Sequence, residues 1–216
     1  LVERKEQHPF LPVALLKNKG LRSTNLFMLI YCLSFFGTSN FIPLYLQEGS
    51  QMSIYKSGLI LLSIALGWSF GSTPAGKWII RFGYKVLFMI GSILTTASGL
   101  ILYLFIQDLS YIGLFIILTV QGFCFGLLFA LGTIASQEFA DANIKGMSTS
   151  LQIFLRNIGT SVGVTIMGVI INHGVTLAAG MKNVFLFALI LSFITIFLSL
   201  RIPEKTSPVG ETALSK

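Results

Sequence analysis

Residues 110–137 read SYIGLFIILTVQGFCFGLLFALGTIASQ and contain no charged side chain. A helix needs about 20 largely apolar residues to cross the hydrocarbon core of a membrane, and this stretch is long enough. Its apolar residues are continuous rather than alternating, which indicates a helix and not a strand of a membrane barrel. The segment is therefore predicted to be a membrane-spanning helix.

Five further apolar runs have the same character, so the predicted fold class is all-α, a polytopic membrane protein built as a six-helix bundle. The predicted spans are residues 23–46, 57–76, 86–106, 110–137, 149–171 and 183–201. Residues 1–22 are predicted to be a cytoplasmic linker and residues 202–216 a cytoplasmic tail. The connections, including 77–85, are too short to hold a soluble catalytic domain.

The composition supports a lipid bilayer as the solvent of this chain. Hydrophobic residues make up 54% of the sequence and charged residues 11%, whereas a soluble domain carries roughly 25% charged residues. The net charge of +7 does not indicate a nucleic-acid partner, because the basic residues do not cluster on one surface element. They lie at the ends of the apolar runs.

The positions of lysine and arginine predict the orientation in the membrane, since cytoplasmic loops carry an excess of both. With the N-terminus inside, twelve basic residues fall on cytoplasmic segments: Arg4, Lys5, Lys17, Lys19, Arg22, Lys77, Arg81, Lys85, Lys145, Arg201, Lys205 and Lys216. The outer loops would carry Lys56 and Lys182. The sequence predicts a multi-pass plasma-membrane protein with both termini in the cytoplasm.

Small residues recur at helical spacing in two of the predicted spans. Gly122, Gly126 and Ala130 follow one another at intervals of four, as do Gly159 and Gly163. Such residues let helices approach closely in lipid, where packing drives association. We therefore expect these positions to be helix contacts.

Nothing in the sequence indicates an enzyme, and no catalytic residue, metal site or cofactor is predicted. Cys32 and Cys124 lie within apolar runs, away from any CxxC or histidine pair, and are expected to be buried free thiols. An intramembrane enzyme would need a nucleophile with its base or a metal motif such as HExxH, and the spans carry neither.

Several short segments resemble one family in both order and spacing. They are HPFLP at 8–12 with LLKNK at 15–19, PLYLQ at 43–47, SGLILL at 57–62, GKWIIRFGYK at 76–85, and the run from Gly146 to Gly163. Together they resemble the major facilitator superfamily, and within it the C-terminal half of the fourteen-helix drug:proton antiporters of the EmrB/QacA type. The chain begins with Leu1 rather than Met, so we expect it to start inside a longer protein.

The segment 76–85 resembles the basic loop of the superfamily between two helices of one half. The resemblance implies that Arg81 and Lys85 take part in gating at the cytoplasmic side. The family carries an aspartate before the arginine, and this chain has Ile80 there. This half is therefore expected to gate differently or less tightly.

The resemblance also implies that the first and fourth helices line a central cavity. The predicted substrate-binding residues are Tyr31, Ser34, Thr38, Gln121 and Phe125; Tyr45, Leu118 and Phe129 continue the same stripes. Aromatic bodies with uncharged polar tips suit bulky, partly apolar compounds. The alternative is that these residues pack and hydrogen-bond between helices, as hydroxyl side chains commonly do in membranes.

Arg156 is the charge that lies well inside a predicted span. A charge in hydrocarbon is costly, which favours a gating or substrate-binding role facing protein or water. The alternative is a structural anchor whose guanidinium reaches the membrane surface. Gln152, Gly159 and Gly163 share its helix face, which suggests burial in protein.

These observations favour one half of a proton-coupled efflux pump that exports small amphipathic toxic compounds. No span contains a carboxylate at mid-depth, so the proton carrier is expected in the missing N-terminal half. A facilitator-family porter for another small metabolite and a non-transporting membrane assembly protein are the alternatives. The first would need charged or amide-rich stripes, and the second would need larger loops.

Overall fold

The computed structural model describes residues 18–204. Six long helices follow one another in this part of the chain: α1 (Lys19–Ser39), α2 (Ile54–Ser72), α3 (Ala75–Phe105), α4 (Tyr111–Glu138), α5 (Lys145–Asn172) and α6 (Leu177–Leu200). Each is long and apolar enough to cross a membrane. The predicted fold class, an all-α six-helix bundle, is confirmed. The division into linker, bundle and tail stays a prediction, since residues 1–17 and 205–216 lie outside the described part.

Several helices begin earlier than their apolar runs. The start of α1 is Lys19 rather than residue 23, because the side-chain oxygen of Asn18 accepts hydrogen bonds from the amides of Gly20 and Leu21. Thr176 caps α6 in the same way through the amide of Ala179. A side-chain cap satisfies the free amides of the first turn and lets a helix extend into polar sequence.

The connection predicted at residues 77–85 is largely helical rather than an open loop, and it belongs to the start of α3. The helix is interrupted at Gly83, where φ is 75° and ψ is 167°. This backbone conformation is essentially restricted to glycine. A single glycine therefore separates the short basic helix around Arg81 from the spanning part of α3.

Replacing Gly83 by alanine is expected to lower the unfolding temperature in detergent, because the strained backbone costs about 1–3 kcal/mol with any side chain. No atom lies within 4 Å of the added Cβ, so strain and not a clash is tested. Gly76→Ala is the matched control, with equally open space and an ordinary helical backbone. Equal unfolding temperatures for the two variants would contradict the argument.

Two helix pairs, α2 with α4 and α1 with α5, touch backbone to backbone through glycines. A Cβ on Gly122 or Gly126 would overlap the carbonyl oxygens of Ile64 and Trp68 on α2. A Cβ on Gly159 or Gly163 would overlap the carbonyl oxygens of Leu29 and Leu33 on α1. The predicted packing role of these four glycines is confirmed.

Gly126→Ala is expected to destabilise the bundle, because the new methyl group meets a backbone oxygen that cannot move without shifting all of α2. Overpacking of this kind costs about 1–3 kcal/mol or more, which thermal unfolding followed by size-exclusion chromatography would detect. Gly58→Ala adds the same methyl group to α2 in open space and should not lower the unfolding temperature, because alanine is favoured over glycine in a helix. A stable Gly126→Ala variant would show that the contact is not essential.

The outer surface of the bundle is apolar, as a lipid-facing surface must be. Phe193 and Phe197 on α6 are 54% and 57% exposed, and similar side chains occur on the other helices. A surface of this kind would aggregate in water but is solvated by acyl chains. Cys32 and Cys124 are buried free thiols, as expected.

Candidate functional site

The predicted substrate-binding residues of α1 lie inside the bundle. Tyr31, Ser34 and Thr38 are 0%, 5% and 5% exposed. The hydroxyl of Ser34 donates to the carbonyl of Ala188 on α6 at 3.0 Å, and that of Thr38 donates to the carbonyl of Ser34 at 2.8 Å. The hydroxyl donors of Ser34 and Thr38 are thus used within the chain.

A small cavity is formed by these residues together with side chains of α3, α4 and α6. Its volume is about 20 Å³, and it is lined by Ser34, Phe35, Thr38, Thr95, Gly99, Gln121, Phe185, Ala188, Leu189 and Ser192. That space suffices for one water molecule. In this conformation Ser34, Thr38 and Gln121 therefore surround no space for a bulky compound, and their assignment to substrate stays a prediction.

Phe125 occupies the centre of an aromatic group that joins three helices. Its ring stacks on Phe35 of α1 with centroids 4.0 Å apart, and Phe36 meets it edge-on at 5.1 Å. Trp68 of α2 meets the same ring edge-on at 4.8 Å. Phe125 itself is fully buried and supports the surrounding rings, and its assignment to substrate stays a prediction.

The group continues to Arg156 on α5. Phe129 packs against both Phe125 and Trp68, with centroid distances of 5.4 and 5.5 Å. The guanidinium carbon of Arg156 lies 3.8 Å above the centre of the Phe129 ring. We call Phe36, Trp68, Phe125, Phe129 and Arg156 the aromatic–arginine cluster. Four helices contribute to it.

The accessible edge of the aromatic–arginine cluster consists of Phe36, Trp68, Phe129 and Arg156, which are all partly exposed. Sequence reasoning did not propose Phe36 or Trp68, because Phe36 lies on the opposite face of α1 from Tyr31 and Thr38. Trp68 lies on a helix to which the family resemblance gave no binding role. The sequence did contain one indication of Trp68: it lies between Gly67 and Gly71, two glycines that contact α4.

Arg156 makes one hydrogen bond in addition to its ring contact, from Nη1 to the hydroxyl of Thr133 on α4 at 3.4 Å. Among residues 18–204 no carboxylate forms an ion pair with it. Its neighbours on the same face, Gly159 and Gly163, contact α1. The guanidinium lies about three turns into α5, held between protein side chains.

The other predicted gating residues lie elsewhere. Arg81 is exposed, with its guanidinium carbon 5.2 Å from the centre of the neighbouring Phe82 ring. Lys85 is partly buried and follows the break at Gly83. Both belong to the first turns of α3, outside the aromatic–arginine cluster.

Six helices of membrane-spanning length define the described chain as a polytopic membrane protein. The chain belongs to the Major Facilitator Superfamily, whose family model matches residues 9–215. The fold is similar to that of the proton:xylose symporter XylE, with a TM-score of 0.71 and 19% identity over 86% of this chain and 45% of the symporter. Family and fold are those of transporters rather than enzymes.

Curated relatives include drug-efflux proteins of Bacillus subtilis (strain 168). The chain is 27% identical over 172 residues to the multidrug transporter protein MdtP, covering 80% of this chain and 32% of MdtP. It is 27% identical over 170 residues to multidrug resistance protein 3, covering 79% of this chain and 33% of that protein. The chain thus spans about a third of the length of the curated relatives it matches.

Proposed function

We propose that this chain is part of a proton-driven exporter of small amphipathic compounds. The observation that carries the proposal is the accessible edge of the aromatic–arginine cluster, where three aromatic side chains and one cation are partly exposed. Aromatic surface with few hydrogen-bonding groups accepts varied apolar shapes. The drug-efflux names of the relatives support the same class of substrate.

We further propose that the chain is the C-terminal half of a fourteen-helix antiporter. The central site of such transporters lies between two six-helix halves, and one set of six is described here. The six spans lack a mid-depth carboxylate, so the proton would be carried by residues of the other half. A single half would leave the aromatic–arginine cluster without its opposite wall.

Export can be tested in inverted membrane vesicles that contain the complete product of the gene encoding this chain. Under an imposed proton gradient, fluorescent amphipathic compounds of negative, zero and positive charge should be tried, and accumulation of at least one should disappear with an uncoupler. The 216-residue chain alone, reconstituted in liposomes, should accumulate none. Gradient-driven accumulation by the chain alone would overturn the half-transporter proposal, and none with the complete product would overturn export.

Phe129→Ala should raise KM for an exported compound by roughly three- to tenfold, because an aromatic contact contributes about 0.5–1.5 kcal/mol. Phe193→Ala is the matched control: it removes the same ring from the outer surface of α6, where Phe193 is 54% exposed. Equal effects of the two substitutions would argue against the aromatic–arginine cluster as the substrate surface.

Cytoplasmic termini are proposed from the distribution of basic residues, and single cysteines can test this orientation. Thiols introduced at Ser50 and Val175, both exposed in the connections after α1 and α5, should react with an impermeant maleimide on whole cells. A thiol at Asn143, exposed before α5, should react after the membrane is opened. Cys32 and Cys124 are fully buried and should stay unlabelled. The reverse pattern would reject the orientation.

A further inference from the structure

Arg156 carries a positive charge that the described chain does not neutralise. Its contacts are the face of Phe129 and the hydroxyl of Thr133, and no carboxylate in residues 18–204 forms an ion pair with it. A lone charge at this depth is costly and is retained where it meets a ligand, water or an opposite charge. The side chain is partly exposed, so such a group can reach it.

The guanidinium has most of its donors free. Arginine presents five N–H donors in a planar fork that fits the two oxygens of a carboxylate, and one hydrogen bond, to Thr133, is made here. The guanidinium carbon lies 3.8 Å from the centre of the Phe129 ring, over its face. The contact with the ring and the single hydrogen bond to Thr133 leave further N–H donors of the fork for an oxyanion.

Aromatic surface continues directly from the arginine. Phe129 and Trp68 are both partly exposed, and their ring centroids are 5.5 Å apart. A planar ring placed against these two side chains can direct a substituent toward Arg156, which is in contact with Phe129. The site therefore offers two complementary features at adjacent positions, an aromatic wall and a cation.

We infer that the aromatic–arginine cluster selects aromatic compounds that carry a negative charge, with their carboxylate or similar oxyanion on Arg156 and their ring against Phe129 and Trp68. A lipophilic cation in the same place would meet a charge of equal sign in a medium of low dielectric constant, where repulsion is strong. The inference rests on the proposed function in one respect: the bound compound is taken to be the exported one.

The two tryptophans of the chain, Trp68 and Trp78, make the site observable without transport. In the purified 216-residue chain, W78F removes the tryptophan outside the aromatic–arginine cluster and leaves Trp68 as the sole reporter. Three nitroaromatic quenchers of nearly equal shape can then be titrated: 4-nitrobenzoate, 4-nitrobenzyl alcohol and 4-nitrobenzylammonium. Their principal difference is charge.

The expected result is saturable quenching of Trp68 by the benzoate, with Kd at least tenfold below that of the ammonium compound. R156Q should raise Kd of the benzoate by roughly tenfold, the size expected for a hydrogen bond to a charged group. The same variant should change the Kd of the neutral alcohol by no more than about twofold. R156K should keep part of the preference, since it retains the charge without the planar fork.

R201Q is the matched control, because it removes an equal charge from the exposed end of α6. It should leave all three Kd values unchanged. An equal loss for the three compounds in R156Q would make Arg156 a structural anchor and overturn the inference. If R156Q does not fold, the test is the ratio between the Kd values of the benzoate and the ammonium compound on W78F alone. Equal Kd values, or tighter binding of the ammonium compound, would overturn the inference.

The same compounds separate this inference from the export proposal. Should the vesicles accumulate nothing while the benzoate still binds with the stated preference, export fails and the anion site stands. Should the vesicles accumulate lipophilic cations and the benzoate leave Trp68 unquenched, export stands and the anion site fails. In the complete protein, a carboxylate of the other half could pair with Arg156. If the preference for the benzoate over the ammonium compound is lost there for this reason, the inference is also overturned.

Discussion

Direct contact between helix backbones at glycine is the constraint on which this bundle depends. In lipid, apolar side chains gain nothing by leaving the solvent, so helices associate through close packing. On α2, Gly67 and Gly71 meet the carbonyls of Thr119 and Phe123. On α4, Gly122 and Gly126 in turn meet the carbonyls of Ile64 and Trp68 on α2. The two helices are thus joined reciprocally over several turns, with no space for a single methyl group.

The same contacts determine where the functional side chains lie. The carbonyl of Trp68 touches Gly126. This contact brings the indole against Phe125, which precedes that glycine by one residue, and Phe129, which follows it by three. On the other side, Gly159 sits on Leu29, and Arg156 precedes Gly159 by three residues. The aromatic–arginine cluster is therefore assembled by the helix contacts themselves, and a shift in either helix pair would separate the arginine from its ring.

Intrahelical hydroxyls and Arg156 represent two contrasting environments of polar groups among the described residues. Hydroxyls inside the bundle, such as those of Thr38 and Ser92, donate to carbonyls one turn earlier in their own helix, a pattern that satisfies the donor without a distant partner. Arg156 cannot be satisfied in that way, because its donors outnumber the acceptors around it. The buried stripe of α1 surrounds the space of about one water molecule, while the accessible aromatic edge holds a charge that has no ion pair among residues 18–204.

The sequence by itself determined the six helices, the glycines through which they pack and the one charge inside a span. Each of these can be read from neighbouring residues of the sequence. The length of the apolar runs predicts the helices, small residues at helical spacing predict their contacts, and the cost of a charge in lipid singles out the arginine. Even so, the polar first turns of α1 and α6 and the helical segment before Gly83 were not predicted, because caps and glycine backbone angles extend or break helices irrespective of hydropathy.

Outside the glycine contacts, only the tertiary structure decided which face of a helix is buried. The helices are apolar on all sides, and hydrophobic periodicity reports burial only where one side faces water. For α1 the family resemblance assigned the hydroxyl stripe to a cavity, and this assignment stays a prediction. The structure adds that Tyr31, Ser34 and Thr38 are buried, whereas Phe36 on the other face is partly exposed. Trp68, Phe129 and Arg156 lie on three different helices. They come together because the glycine contacts set the distances between these helices and their rotations.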